Sequence, residues 1–279
     1  MLSIYMWFSI KTTAGHFYHD NGFFLAMGLA FNLLLYFIPL VLLMIALLGY
    51  TFLESSRAMT EVQSFVGQLL PQSEHILADN FAAIVAHRGL LGATGWIFFV
   101  LFSSTLFGSA RHVLNTVFKT PVRRTFVKGL LRDFLMMTLT AIIVVLAIGA
   151  GILGSLARAF GADTFPLLAP LLGPVWWVAG KIVSLTLLAI LFYIFYRYAP
   201  AQSLSPRALM IGSISATLLF VLLRWGFAWY VGFARDALAL YGVVSGLMFF
   251  FFWLYYASLV FILGAEIGYA VDQIRPPAI

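Results

Sequence analysis

Residues 237–265 run for 29 positions without an Asp, Glu, Lys, Arg or His, and a segment of that length is enough to cross the hydrocarbon core of a bilayer as a single helix. Residues 21–53 form a second such run of 33 positions. Lipid offers backbone amides no water to bond, so spanning segments are helices or closed barrels, and unbroken apolar runs without strand alternation select helices. Composition agrees: 63% of the residues are hydrophobic and 9% charged, against roughly a quarter charged in soluble domains.

The sequence therefore predicts an all-α, polytopic six-helix transmembrane bundle forming a single membrane domain over residues 1–279, with spans at about 21–53, 89–118, 134–157, 174–198, 206–233 and 241–270. Residues 1–20 mix polar side chains with Leu2, Ile4, Trp7, Phe8 and Ile10 and read as an interfacial segment, not a signal peptide. Pro39 is the expected bend in the long first span. In the first external connection, Met59, Val62, Phe65 and Leu69, then Ile76, Leu77, Phe81, Ile84 and Val85, recur at helical spacing around Pro71. Two short amphipathic helices are expected there.

With six spans both termini share a side. That side collects Lys11, Lys119, Arg123, Arg124, Lys128, Arg132, Arg197, Arg207 and Arg275, while the other holds Arg57, Arg88, Arg158 and Arg235. Positive residues favour the cytoplasmic face, so both termini are expected in the cytoplasm. The net charge of +6 follows from these juxtamembrane clusters and calls for no nucleic-acid partner. Cysteine is absent, which removes disulfides and thiolate metal ligands.

Asp20, Asn21 and Ala26, then Leu29-Ala30-Phe31 leading to Pro39-Leu40, open a recognisable pattern. Pro200, Pro206, Gly212, Arg224, Gly226-Phe227-Ala228 and Tyr230 continue it, and Tyr241-Gly242, Trp253, Tyr255 and Leu263-Gly264-Ala265-Glu266 close it. Together they resemble the YihY/virulence factor BrkB family, formerly labelled ribonuclease BN, over nearly the whole chain. The chain departs from that pattern at Tyr36, where members often carry a small hydroxyl. The resemblance implies a bacterial inner-membrane protein, with envelope lipid transport, cation/proton exchange and a nuclease label among the proposals for the family.

The few charges inside spans are the candidate functional residues, since an intramembrane cation costs about 2.5–3.5 kcal/mol even on the lenient insertion scale. Arg224 and Lys181 are read as receiving an anionic headgroup, Arg224 above all because a guanidinium fork suits phosphate. The plainer alternatives are Lys181 snorkelling and Arg224 bonding helix carbonyls. Arg111 and Glu266, both near the cytoplasmic end of their spans, are expected to pair, with a gate as the functional alternative. Asn32 completes the polar pathway or serves packing alone. His16, His19 and Asp20 form a polar rim more readily than a metal site, and the Gly242/Gly246 and Gly264/Gly268 spacings suit close helix contact.

No metal, cofactor or catalytic motif emerges: paired acids within a span, HExxH and phosphate-binding glycine loops are all missing from the sequence, so no enzymatic activity is expected. The expected function is a bacterial inner-membrane transporter or flippase-like protein for an anionic amphiphile, a phospholipid or lipopolysaccharide-related lipid. A cation/proton exchanger using Glu266, Asn32 and Asp133 is the alternative, and a non-transporting envelope scaffold the third. Membrane lipids are the expected partners, with a coupling ion or an envelope protein beside them.

Overall fold

The computed structural model describes residues 13–51, 88–120, 129, 131–140, 142, 143, 146, 169–241 and 243–273. Five long helices carry most of them: α1 (Gly22–Thr51), α2 (Arg88–Val117), α3 (Ala169–Tyr198), α4 (Pro206–Tyr241) and α5 (Val243–Gln273). Each contains a stretch long and apolar enough to span a bilayer: Gly22–Val41, Ala93–Val117, Val178–Tyr198, Pro206–Phe233 and Ser245–Gln273. The chain is a polytopic helical membrane protein. Of the expected span 134–157, the beginning is helical, as part of a helical stretch at 131–140, and most of the remainder lies outside the described residues. The amphipathic helices expected across 54–88 lie outside them too, apart from Arg88.

Helix ends differ from the sequence expectation in instructive ways. α3 begins at Ala169 instead of near Pro174, because Pro170 falls in the first turn, where a missing N–H has no partner to lose. α4 starts at Pro206 for the same reason, and the Asp272 carboxylate accepts from the Ser205 amide at 3.1 Å just before it. α4 then runs on past Phe233 to Tyr241, so helix replaces an expected connection. α1 continues through Pro39.

The described residues fall into two compact units, the first within Met1–Phe23, Ala110–Val221 and Leu259–Ile279, the second within Phe24–Ser109 and Leu222–Ser258. In the first, the α4 and α5 backbones meet at glycines: a Cβ on Gly212 would lie 2.8 Å from the Gly264 carbonyl oxygen, and Gly268 is its next neighbour. Fully buried Tyr196 of α3 donates its hydroxyl to the Phe261 carbonyl at 2.7 Å. The Gly264/Gly268 spacing thus makes the close contact its pattern suggests.

Aromatic rings fill the second unit. Phe37 meets Phe250 at 4.7 Å between centroids, and Phe227 meets Trp253 at 5.1 Å. Tyr36, the departure from the family pattern, packs on Phe99 at 5.3 Å. Gly246 has open space around it, so the upstream glycine spacing makes no tight contact there; Gly242 is outside the described residues. Phe24, Trp225 and Phe233 are 74, 76 and 79% exposed. Large apolar side chains this bare suit lipid tails, not water.

Candidate functional site

Two helix ends in the first unit build a charged centre. The helical stretch before α1 closes with the Asp20 amide bonded to His16 O at 2.8 Å, after which Asn21 turns into the left-handed region at φ 54°. α2 ends in a Schellman motif: the Thr120 amide reaches Asn115 O at 2.9 Å and the Lys119 amide reaches Thr116 O at 3.2 Å. The residue that must turn left-handed there is normally glycine, and here it is Lys119, at φ 52°. Its ammonium bonds the Asp20 carboxylate. His19 Nδ1 lies 3.2 Å from the same oxygen, Oδ1.

Behind this pair stands Glu266 of α5. It is 0% exposed, and neither carboxylate oxygen has a hydrogen-bond partner among the described residues. Asp20 and Lys119 are the charged groups that act on it electrostatically. His16 packs on Tyr269 at 5.7 Å. Residues three or four apart share a helix face, so the stretch that sets His16 against Tyr269 also sets Asp20 toward Glu266. Asp20 Oδ2, His16 Nδ1 and Thr13 Oγ1 are likewise buried and unpartnered among the described residues.

The expected Arg111–Glu266 pair does not form. Arg111 donates instead to Asp133 Oδ2 at 3.1 Å, and Gly129 makes room: a Cβ there would strike the guanidinium. Burial pushes the Asp133 carboxyl above its ordinary value, and the Arg111 charge opposes that with a smaller effect. Depth along their helices puts Arg111 and Glu266 at one level, but an acid at the start of the next helical stretch lies nearer to Arg111. That acid is Asp133.

Asn32 donates to Gly28 O at 2.9 Å, within α1, so its amide is satisfied by its own helix and not by a neighbour. Arg224 is exposed on α4, makes no ion pair or hydrogen bond with a described residue, and shares that helix with exposed Trp225 and Trp229. Lys181 is exposed on α3. Arg224 belongs to the second unit and Lys181 to the first. Among the described residues no group of three His, Cys, Asp or Glu side chains is placed to hold a metal ion. Sequence reasoning missed the Asp20–Lys119 partnership. Its one available signal was an acid at an interfacial helix end and a lysine closing a span on the same side.

The profile of the family described as Virulence factor BrkB matches residues 13–278. A UPF0761 membrane protein of Pseudoalteromonas atlantica is 23% identical, over 94% of this chain and 85% of its own length. Another, from Chlorobium luteolum, is 24% identical over 92% of this chain, which spans only 58% of that relative. The ribonuclease-like protein YfkH of Bacillus subtilis is 26% identical over 86% of each chain. No solved structure matches.

Proposed function

We propose, from the premise that this chain belongs to the virulence factor BrkB family, that it is a transporter or flippase-like protein for an anionic amphiphile in the bacterial inner membrane, with both termini cytoplasmic. The observation that carries the reading is Arg224. Its guanidinium stands on an apolar helix face, exposed and without a hydrogen bond or ion pair to a described residue. It lies roughly 27 Å along α4 from Pro206, at 1.5 Å per residue. A cation at that depth calls for an anionic companion, and a lipid phosphate offers two oxygens to its planar fork. The exposed Trp225 and Trp229 rings are suited to the acyl chains beside such a headgroup. Lys181, also exposed within a span, is proposed to receive an anionic headgroup in its own unit.

Exchange of cations for protons is the second reading, favoured by the buried carboxylate of Glu266. Neither reading invokes catalysis. The ribonuclease-like designation belongs to the Bacillus subtilis relative, and clustered metal-binding acids, which hydrolysis of a phosphodiester would normally use, do not occur among the described residues.

The test is native mass spectrometry of the purified protein with defined lipids. Wild type should retain anionic phospholipid, Arg224→Lys part of it, and Arg224→Gln little while remaining folded. Equal retention by wild type and Arg224→Gln would overturn the headgroup reading.

A further inference from the structure

We infer that Asp20, Lys119 and Glu266 form a binding site for one monovalent cation, a proton or an alkali metal ion, distinct from the Arg224 surface. Binding itself does not depend on the amphiphile reading; only its use to drive transport would.

Among the carboxylates and the ammonium, two acids, Asp20 and Glu266, face one base, Lys119, and these three groups are short of one positive charge. Lys119 is committed to Asp20 Oδ1. The oxygens left over are Asp20 Oδ2 and both oxygens of Glu266, all buried and unpartnered among the described residues. An ionised carboxylate so placed is strongly unfavourable unless something neutralises it. No described arginine or lysine is bonded to Glu266: Arg111 is engaged by Asp133 and Arg132 by the Pro200 carbonyl at 3.0 Å.

Donor chemistry narrows the ligand. Three carboxylate oxygens, with no sulfur among the donors, suit a proton or a hard cation. A divalent ion would leave the cluster positive, whereas a single charge balances it. The titratable groups on the elements packed here include His16 and His19 from the stretch before α1, Lys119 from the end of α2, Tyr269 one turn beyond Glu266 on α5, and the buried Tyr196 of α3, whose hydroxyl lies against Gly264. A purely structural Asp20–Lys119 clasp accounts for Asp20 Oδ1 alone. It leaves Glu266, the most deeply buried acid among the described residues, without any role.

Backbone geometry adds an independent reason. Non-glycine residues in the left-handed region are strained and persist where surrounding contacts enforce them. Here two, Asn21 and Lys119, flank the site. That geometry presents the Asp20 carboxylate and the Lys119 ammonium to each other from the ends of two helices.

Infrared difference spectroscopy on the purified wild-type protein tests the inference, with sodium, potassium or choline chloride at equal ionic strength, each across a pH series. A proton site shows one buried carboxylic-acid band that disappears on alkalinisation in every salt, and Glu266→Gln removes it. An alkali site shows a carboxylate shift and a raised melting temperature in sodium or potassium but not choline, both lost in Glu266→Gln or Asp20→Asn. If the wild type shows neither a buried acid band nor any cation-specific shift, the inference fails, whatever the variants do. It also fails if folded Glu266→Gln responds as wild type does. Retention of anionic lipid is read separately, so loss of one result leaves the other standing.

Discussion

Arg111 reaches Asp133 from 22 residues upstream, its guanidinium nitrogen 3.1 Å from the carboxylate oxygen, with Gly129 providing the space it occupies. The contact joins the far end of α2 to the helical stretch at 131–140, whose sequence begins in the basic loop. Asp133 is buried while Arg111 keeps part of its side chain exposed, so the two do not fare alike when the partner is removed.

Arg111→Gln is expected to destabilise the protein by about 1–3 kcal/mol, because it strands a buried acceptor. Asp133→Asn should cost less, since Arg111 is partly exposed. In the double variant the total should fall below the sum of the singles. Melting in detergent reads all three, and strict additivity would mean that the contact contributes nothing.

The pH dependence of the same residue has a definite sign. Burial raises the Asp133 carboxyl above the ordinary value despite Arg111, so the folded protein holds that proton more tightly than the unfolded chain. Its contribution to stability is fully present below the unfolded carboxylate value of about 3.9 and is lost as pH rises through the higher folded one. Asp133→Asn should flatten that part of the stability curve. A wild-type curve rising with pH there, with the variant parallel to it, would reverse the assignment.

Gly212→Ala and Gly264→Ala are expected to lower stability by about 1–3 kcal/mol through overpacking. In the first the methyl would sit 2.8 Å from the Gly264 carbonyl, and in the second 2.6 Å from the Tyr196 hydroxyl. Gly246→Ala, with open space around it, is the control. It should be neutral or slightly stabilising, since alanine favours helix.

Lys119 separates two effects in one position. Lys119→Met keeps a left-handed non-glycine residue and loses the bond to Asp20, whereas Lys119→Gly loses the bond but relieves about 1–2 kcal/mol of left-handed strain, offset in part by about 0.4–1 kcal/mol of added freedom in the unfolded chain. The glycine variant should therefore melt above the methionine variant. The opposite order would show that the lysine stem, not its charge, is what the site uses.

What the sequence disclosed was governed by scale. Apolar runs such as 237–265 are long, and hydrophobic matching to a bilayer is insensitive to a few residues, so α1, α2, α4 and α5 are legible even though their ends shift. Gly264 and Gly268 were legible as a close contact because spacing along one helix is local information. Gly246 carries the same signature and makes no such contact, since what lies opposite a glycine is not written beside it. The charged centre was not legible for that reason. Asp20 and Lys119 are separated by 99 residues, and depth alone pairs Glu266 with Arg111. Depth along a helix gives a level but not an azimuth, and it was azimuth that brought Asp133 to Arg111 and left Glu266 facing Asp20.

The glycine seam between α4 and α5 also bears on how this protein moves. Where main chains touch, with the Gly212 and Gly264 backbones in direct apposition, there are no long side chains to slide over one another or exchange rotamers. The two helices cannot turn independently at that level without prising backbone from backbone. Near Gly212 and Gly264 they therefore act as one lever, and Glu266, two residues beyond the seam, travels with it. Any cycle that opens the buried carboxylate must work by shifting what rests against this lever, the helix end that carries Asp20 or the one that carries Lys119.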